Sequence, residues 1–292
     1  MLPTRLFSRV AVSGCRRLLS GSSQLVQLRE QSASDGVVSI ELCRKPANAM
    51  NGELAAQFNK ALLQAEKSGA RAVLLRSQLA GIFSAGFELT ELAGSNRERL
   101  IEFYTEIQEL FLNLFGTDLV VIAQIQVRFV VIAQIQGHCM AGAMALSLSS
   151  DYRLMSSNPK LLTGLNETQF GVAPPVWLVE LFRFVAGNRN CERLVAAGQL
   201  IGPQAALEAG LVDELFDNEA ELLKKTESTL SRYLAVSPRA RADVKRMLRS
   251  NLINRLDSAR QEDMNAFCDY VLDSRVQAQL GQYLDKLKAK KA

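Results

Sequence analysis

The sequence predicts an α/β protein: a core of alternating strands and helices followed by an all-helical C-terminal module. Two observations carry the prediction. Short apolar, β-branched runs alternate with amphipathic helical stretches through the first two-thirds of the chain, and from Glu219 to Lys291 helical periodicity runs almost without interruption. A third fits them: 48% of the 292 residues are hydrophobic and 22% charged, enough apolar material for one sizeable core. The implied organisation is a tail over 1–24, an α/β core over 25–218 and a helical module over 219–292.

The elements follow in order. Val37 to Leu42 is a β-rich run, and Arg44 to Ala49 is a turn around Pro46. Asn51 is placed to cap a helix reaching Lys67, because Leu54, Phe58, Ala61, Leu62 and Ala65 recur on one face. Ala72 to Leu75 reads as a buried strand, and Ile82 to Gly86 as a small-residue interruption. Arg97 to Phe115 has the period of a long amphipathic helix. Gly137 to Ser150 is a small-residue loop entering a buried helix, and Tyr152 to Met155 is a strand. Residues 174–197 hold two helices broken near Gly187, and Gly202-Pro203 opens another short pair. The C-terminal helices break near Ser237-Pro238 and Asp257.

One stretch has an unusual form. Val-Val-Ile-Ala-Gln-Ile-Gln occupies 120–126 and again 130–136, with Val127-Arg128-Phe129 between. Either copy makes a buried strand. The spacer holds no Gly, Asn, Asp or Pro, so it writes no tight hairpin. Two copies do not make a solenoid. The pattern is that of a local in-frame duplication. The second copy runs straight into Gly137 and takes the strand place, and the first is expected to be displaced as a loop or edge extension.

Charge and cysteine usage exclude several classes. The net charge is +4, and Arg5, Arg9, Arg16 and Arg17 account for all of it. No basic stripe of the kind nucleic acid requires remains. Residues 1–29 contain no acid, and arginines alternate with Leu2, Leu6, Phe7, Val10 and Val12. That is the composition of a mitochondrial transit peptide, which places the chain in the matrix. The end, Lys290-Lys291-Ala292, is not a peroxisomal address. No transmembrane segment is written. Five well-separated cysteines without a Cys-x-x-Cys argue for reduced thiols, and one histidine leaves little for His-based metal sites or triads. No metal and no redox cofactor are expected.

Three segments carry chemistry together. Phe83-Ser84-Ala85-Gly86-Phe87-Glu88-Leu89 and Gly137-His138-Cys139-Met140-Ala141-Gly142-Ala143-Met144 are small-residue turns that present backbone N–H groups, the second opening into a helix. Such donors favour a developing oxyanion. Leu165-Asn166-Glu167-Thr168-Gln169-Phe170-Gly171 sets a carboxylate between apolar stretches, where desolvation makes it a stronger base. Singly, each segment also fits ordinary tight packing or a solvated loop.

In this order the segments resemble the crotonase (enoyl-CoA hydratase/isomerase) superfamily, and within it the mitochondrial 3,2-trans-enoyl-CoA isomerase (dodecenoyl-CoA delta-isomerase) branch. The resemblance covers roughly 35–290. It rests on Phe83 to Gly86 followed by Glu88-Leu89-Thr90-Glu91, on Gly164 to Gln169, on Ser150 to Arg153 and on Ala209 to Asp213. It implies a crotonase-like ββα spiral core and a C-terminal module that builds a homotrimer. It further implies an enoyl-CoA thioester as substrate, with coenzyme A as part of that substrate rather than a cofactor. By the same resemblance the backbone N–H groups of Phe87 and Gly142 hold the thioester oxygen, and Glu167 is the catalytic carboxylate. Ala85, Gly86, Phe87, Glu88, Leu89, Gly142 and Asn166 line the acyl–pantetheine path. Arg44, Lys45 and Ala47 meet the nucleotide part of CoA.

Hydratases of this family keep a second carboxylate on the helix after the oxyanion glycine, and here that position is Ala145. Adding water needs two groups. Moving a double bond from C3 to C2 needs one base that takes a proton at C2 and returns it at C4. The pattern therefore points to isomerisation of cis- or trans-3-enoyl-CoA to trans-2-enoyl-CoA, a step in mitochondrial β-oxidation of unsaturated fatty acids. Hydration or hydrolysis of another CoA thioester, or a non-catalytic CoA-binding or assembly subunit, are the competing readings. Glu88 reads as structural, His138 as non-catalytic, and Trp177, Phe170 and Phe182 as core rather than tunnel lining.

Overall fold

The structure, a computed structural model, describes residues 24–32, 35–116 and 130–289. The arginine-rich residues 1–23 and the first repeat copy with its spacer lie outside them.

Two parallel-rich sheets organise the chain. Strand β1 (Val26–Ser32) pairs antiparallel with β2 (Val37–Leu42), and helix α1 (Gly52–Lys67) leads to β3 (Ala72–Ser77), parallel to β2. A short β4 (Gly81–Ser84), one-turn α2 (Leu89–Leu92) and long α3 (Arg97–Phe115) follow. Next come β5 (Val130–Ile135), β6 (Gly137–Met140), a 3-10 turn (Ala141–Ala143) and α4 (Met144–Ser149). Strands β7 (Tyr152–Ser156) and β8 (Thr163–Gly164), a second 3-10 turn (Glu167–Phe170), α5 (Val176–Val195, kinked at Gly187), α6 (Pro203–Glu208) and β9 (Glu214–Phe216) complete the core. Helices α7 (Glu219–Leu234), α8 (Pro238–Ser258), α9 (Arg260–Leu272) and α10 (Ser274–Ala289) form the C-terminal module. The large sheet has order β1-β2-β3-β5-β7-β9, and β4-β6-β8 make a small one. Among the described residues no helix is long and apolar enough to cross a membrane.

Local chemistry explains the helix starts. The Asn51 side chain accepts from Leu54 N at 3.0 Å, and Asn96 accepts from Arg99 N at 2.9 Å, each satisfying an orphan donor of the first turn. The second repeat copy takes the strand place, as its sequence predicts. All six residues of β5 are buried. Val131, Ala133 and Ile135 face the main core, whereas Val130 and Ile132 face a smaller core closed by Leu222 and Leu230 of α7. A strand covered on both sides must be apolar at consecutive positions.

A buried ionic cluster fixes where β5 begins. Asp151 accepts from Val131 N at 2.8 Å and from Lys245 and Arg249 at 2.9 Å each, and Arg249 also donates to Phe115 O and Ser149 O. Burial alone would raise the Asp151 carboxyl, but the two cations and the Val131 N–H outweigh it and hold it below the usual carboxylate range. The end of α3 and the start of β5 are thus tied to one helix, α8, across the repeat.

The helical module shares the main core, through Ile253, Leu256, Met264, Cys268, Val271, Val276 and Leu280. Five strands, β1, β4, β6, β8 and β9, escape sequence reading. In β1, Val26 and Leu28 do alternate inward, but Gln27, Arg29 and Glu30 mask the pattern. β9 is three residues long and is stabilised by pairing with β7 rather than by local propensity. Trp177 and Phe182 are core residues, as expected, with Trp177 Nε1 donating to the Tyr104 hydroxyl at 2.9 Å. Cys43, Cys139, Cys191 and Cys268 are free thiols.

Candidate active site

The small sheet collects the three chemical segments. β4, β6 and β8 are parallel, with Ser84 opposite Cys139 and Met140 opposite Gly164. Their C-terminal ends therefore leave the sheet on one edge, and Phe87, Gly142 and Glu167 each lie two or three residues beyond. The carboxyl ends of parallel strands are where open α/β sheets place their ligands.

The turn through Phe87 is held by its neighbours' hydrogen bonds. Ala85 N donates to Ala47 O, Gly86 N to Ser84 Oγ and Glu88 N to Met50 O, while Met50 N donates to Gly86 O at 2.7 Å. Among the described residues the N–H of Phe87 has no acceptor. The N–H of Gly142 lies in the opening of a 3-10 turn, before the intrahelical ladder begins, and it too has none. Both donors therefore remain available to an outside acceptor.

The close approach of these turns needs glycine on both sides. Gly86 has φ +90°, and a Cβ there would stand 2.8 Å from Gly142 N and 2.9 Å from Met140 O. A Cβ on Gly142 would stand 2.5 Å from Cδ1 of Phe87, whose ring also meets Phe103 edge-on at 5.6 Å.

Glu167 opens the second 3-10 turn, with Val172 N donating to its carbonyl at 3.1 Å and Asn166 preceding it. The residue is 6% exposed, and neither carboxylate oxygen has a hydrogen-bond partner. Burial pushes its carboxyl up to about 7, outweighing the opposite pull of the nearby backbone N–H groups of Glu167 and Asn166. A desolvated, unpartnered carboxylate that ionises near neutrality can both take and return a proton. Ala145, on α4, is fully buried and brings no second acid.

The remaining predicted residues sort by their contacts. Glu88 is paired with Arg44 at 2.8 Å, which fits its structural reading. The same Nη1 of Arg44 donates to Ala49 O at 2.9 Å, so that nitrogen is committed to shaping the turn. Lys45 is exposed, and Ala47 and Leu89 are half-buried. His138 Nδ1 accepts from Leu162 N at 3.1 Å and straps β6 to the approach of β8. Sequence reading passed over Ser84 and Asn48. Ser84 Oγ donates to Asn48 O at 2.7 Å, and Asn48 Nδ2 donates to Phe83 O and Ser77 Oγ, which sets the Gly86–Phe87 turn. Asn48 has φ +50°, a conformation Asn tolerates, and its place in the turn after Pro46 was the one local signal.

The enoyl-CoA hydratase/isomerase family profile matches residues 32–291, and the chain belongs to that family. It is homologous to enoyl-CoA delta isomerases. It is 32% identical over 289 residues to "Enoyl-CoA delta isomerase 1, mitochondrial" of Mus musculus, covering 99% of this chain and 95% of the relative. The Homo sapiens protein of the same name is 32% identical over 279 residues, covering 95% and 87%. The crystal structure of human mitochondrial delta3-delta2-enoyl-CoA isomerase, 31% identical, superposes with a TM-score of 0.85 over 92% of this chain and all of that one. An enoyl-CoA hydratase from Bacillus halodurans, 19% identical with a TM-score of 0.76, shares the fold.

Proposed function

We propose that the chain isomerises 3-enoyl-CoA, cis or trans, to trans-2-enoyl-CoA in β-oxidation of unsaturated fatty acids. The observation that carries this is a single buried carboxylate, Glu167, without a hydrogen-bond partner, on the same sheet edge as two unpaired N–H donors. The thioester oxygen sits between the N–H groups of Phe87 and Gly142. As negative charge grows on that oxygen the donors strengthen their hold, each worth about 3 to 4 kcal/mol in the transition state. Ionised Glu167 takes the proton from C2. The electron pair spreads through the carbonyl and the C3–C4 double bond as a dienolate. Glu167, now protonated, delivers the same proton to C4, and the double bond rests between C2 and C3.

Ala145 favours isomerisation over hydration, since no second acid stands ready to manage water. Ala85, Gly86, Glu88, Leu89 and Asn166 flank the reacting atoms along the acyl–pantetheine path, and Arg44, Lys45 and Ala47 lie on the adjoining turn, the assigned side for the CoA nucleotide. The test is a 3-enoyl-CoA assay followed by the ultraviolet absorbance of the conjugated product. Glu167→Gln should lose about a thousandfold in kcat. Full activity in that variant would overturn the assignment.

The working form is a homotrimer in the mitochondrial matrix. Val244, Met247 and Leu248 are 54%, 75% and 63% exposed and form one stripe on α8, opposite its buried Ala242, Arg249, Ile253 and Leu256. A helix apolar on both sides is built to be covered on both. The acid-free, arginine-rich residues 1–24 and the mitochondrial names of the relatives support the location. Fusing those residues to a reporter and following its import tests that part.

A further inference from the structure

The segment that follows Phe87 and the segment that begins at Glu167 are both touched by one element, α10. On one side, Gln277 Oε1 accepts from Gly94 N at 2.8 Å and its Nε2 donates to Leu92 O at 3.0 Å and to Val271 O at 2.7 Å. On the other side, the Phe170 ring meets the Tyr283 ring at 4.9 Å, and the Gln279 side chain lies over Cα of Gly171. Between these grips Val276 and Leu280 of α10 are buried in the same core as Leu92 and Leu165. The helix therefore closes the gap between the two reactive segments. In the proposed site, an acyl chain held between Phe87 and Glu167 and continuing past C4 on this side runs toward α10.

The grip on the 92–94 side is the kind that opens. Its two bonds to Leu92 and Gly94 belong to one primary amide, whose third bond, to Val271 O, ties it to α9, and the Gly94 N–H is solvent-facing, so water can replace the amide when the helix lifts. The grip on the 170–171 side is aromatic and steric and has no such substitute.

We propose that Gln277 is a positioning residue that latches α10 to residues 92–94 and so sets the length of acyl chain the site admits. This rests on the reading of the site as an acyl-CoA isomerase centre.

The test uses the full chain with hexanoyl-CoA and dodecanoyl-CoA, saturated probes whose binding needs no turnover. Gln277→Met keeps length and bulk but removes all three bonds, and Gln277→Glu keeps an acceptor for Gly94 N and loses both donors. The latch predicts that Gln277→Met improves dodecanoyl-CoA over hexanoyl-CoA binding by about fivefold or more, the equivalent of one lost hydrogen bond, with Gln277→Glu between it and wild type. Amide exchange over residues 274–289 should quicken in the same order, and turnover of a six-carbon 3-enoyl-CoA should hold its kcat. An unchanged length ratio, or equal loss for both probes, overturns the latch even if the wild type isomerises normally. Binding without turnover by the wild type, with the length shift present, overturns the isomerase reading and leaves the latch. Binding of neither probe overturns both.

Discussion

Replacing Glu167 by Gln separates burial from chemistry, because the same desolvation that makes the carboxylate a base also destabilises the fold. The folded-state carboxyl titrates at about 7, against an ordinary value of 4.5. The folded protein thus holds the proton more tightly than the unfolded chain. The stability tied to this group is fully present below pH 4.5 and is lost as the pH rises through about 7. At about 1.4 kcal/mol for each tenfold change in proton affinity, the loss is about 1 kcal/mol at pH 5 and about 3 kcal/mol above pH 8. Gln has the same shape and an uncharged polar head, so Glu167→Gln should be about 3 kcal/mol more stable than wild type at pH 8.5 and nearly equal to it at pH 4. Urea unfolding of both proteins across this range, at one fixed protein concentration because assembly contributes, measures the difference directly. Parallel curves, or a variant less stable at alkaline pH, would show that Glu167 is not held in a desolvated site.

Further outcomes follow from the same geometry. Wild-type kcat/KM for a 3-enoyl-CoA should rise with pH through about 7 as Glu167 ionises, and a profile flat from pH 5.5 to 8 would contradict its role as base. Gly142→Ala places a methyl 2.5 Å from the Phe87 ring and should cost about a hundredfold in kcat by spreading the two donors, with circular dichroism unchanged. Deleting residues 120–129 should leave the fold and the activity intact, since Phe115, Val131, Asp151 and Arg249 are anchored outside the deletion; loss of folding would show that the first copy supports the strand. Met247→Glu with Leu248→Glu should reduce the proposed trimer to monomers in sedimentation equilibrium, because two like charges per copy cannot be buried in a shared apolar seam.

The strongly periodic and strongly punctuated parts of the molecule were legible. The start of α1 at Asn51 and the span of α3 are written as a capping side chain and an apolar stripe, signals that act within a few residues. The strand role of Val130 to Ile135 follows from the apolar, β-branched run Val130 to Ala133 and Ile135 leading toward Gly137. The less legible elements depend on partners far along the chain. β1 is masked by its own charged outer face, and β4, β6 and β8 are so short that only their mutual pairing makes them strands. Ser84 and Asn48 could not be read as supports of the Phe87 turn, since what they hold is fixed only when β4 lies beside the 44–49 turn.

By itself the sequence determined which atoms are available: one acid in an apolar setting, two glycine-bearing turns, alanine where a second acid would stand, and a C-terminus of helices. These are properties of residue type and spacing. The tertiary structure decided what those atoms can do. It buried Glu167 without a partner, so its carboxyl titrates near neutrality, and it brought the turns of Gly86 and Gly142 so close that a Cβ on either would clash. It also laid α10 across both reactive segments, joining residues more than a hundred positions apart. Desolvation and close approach are sums over neighbours from the whole chain, which no local stretch contains.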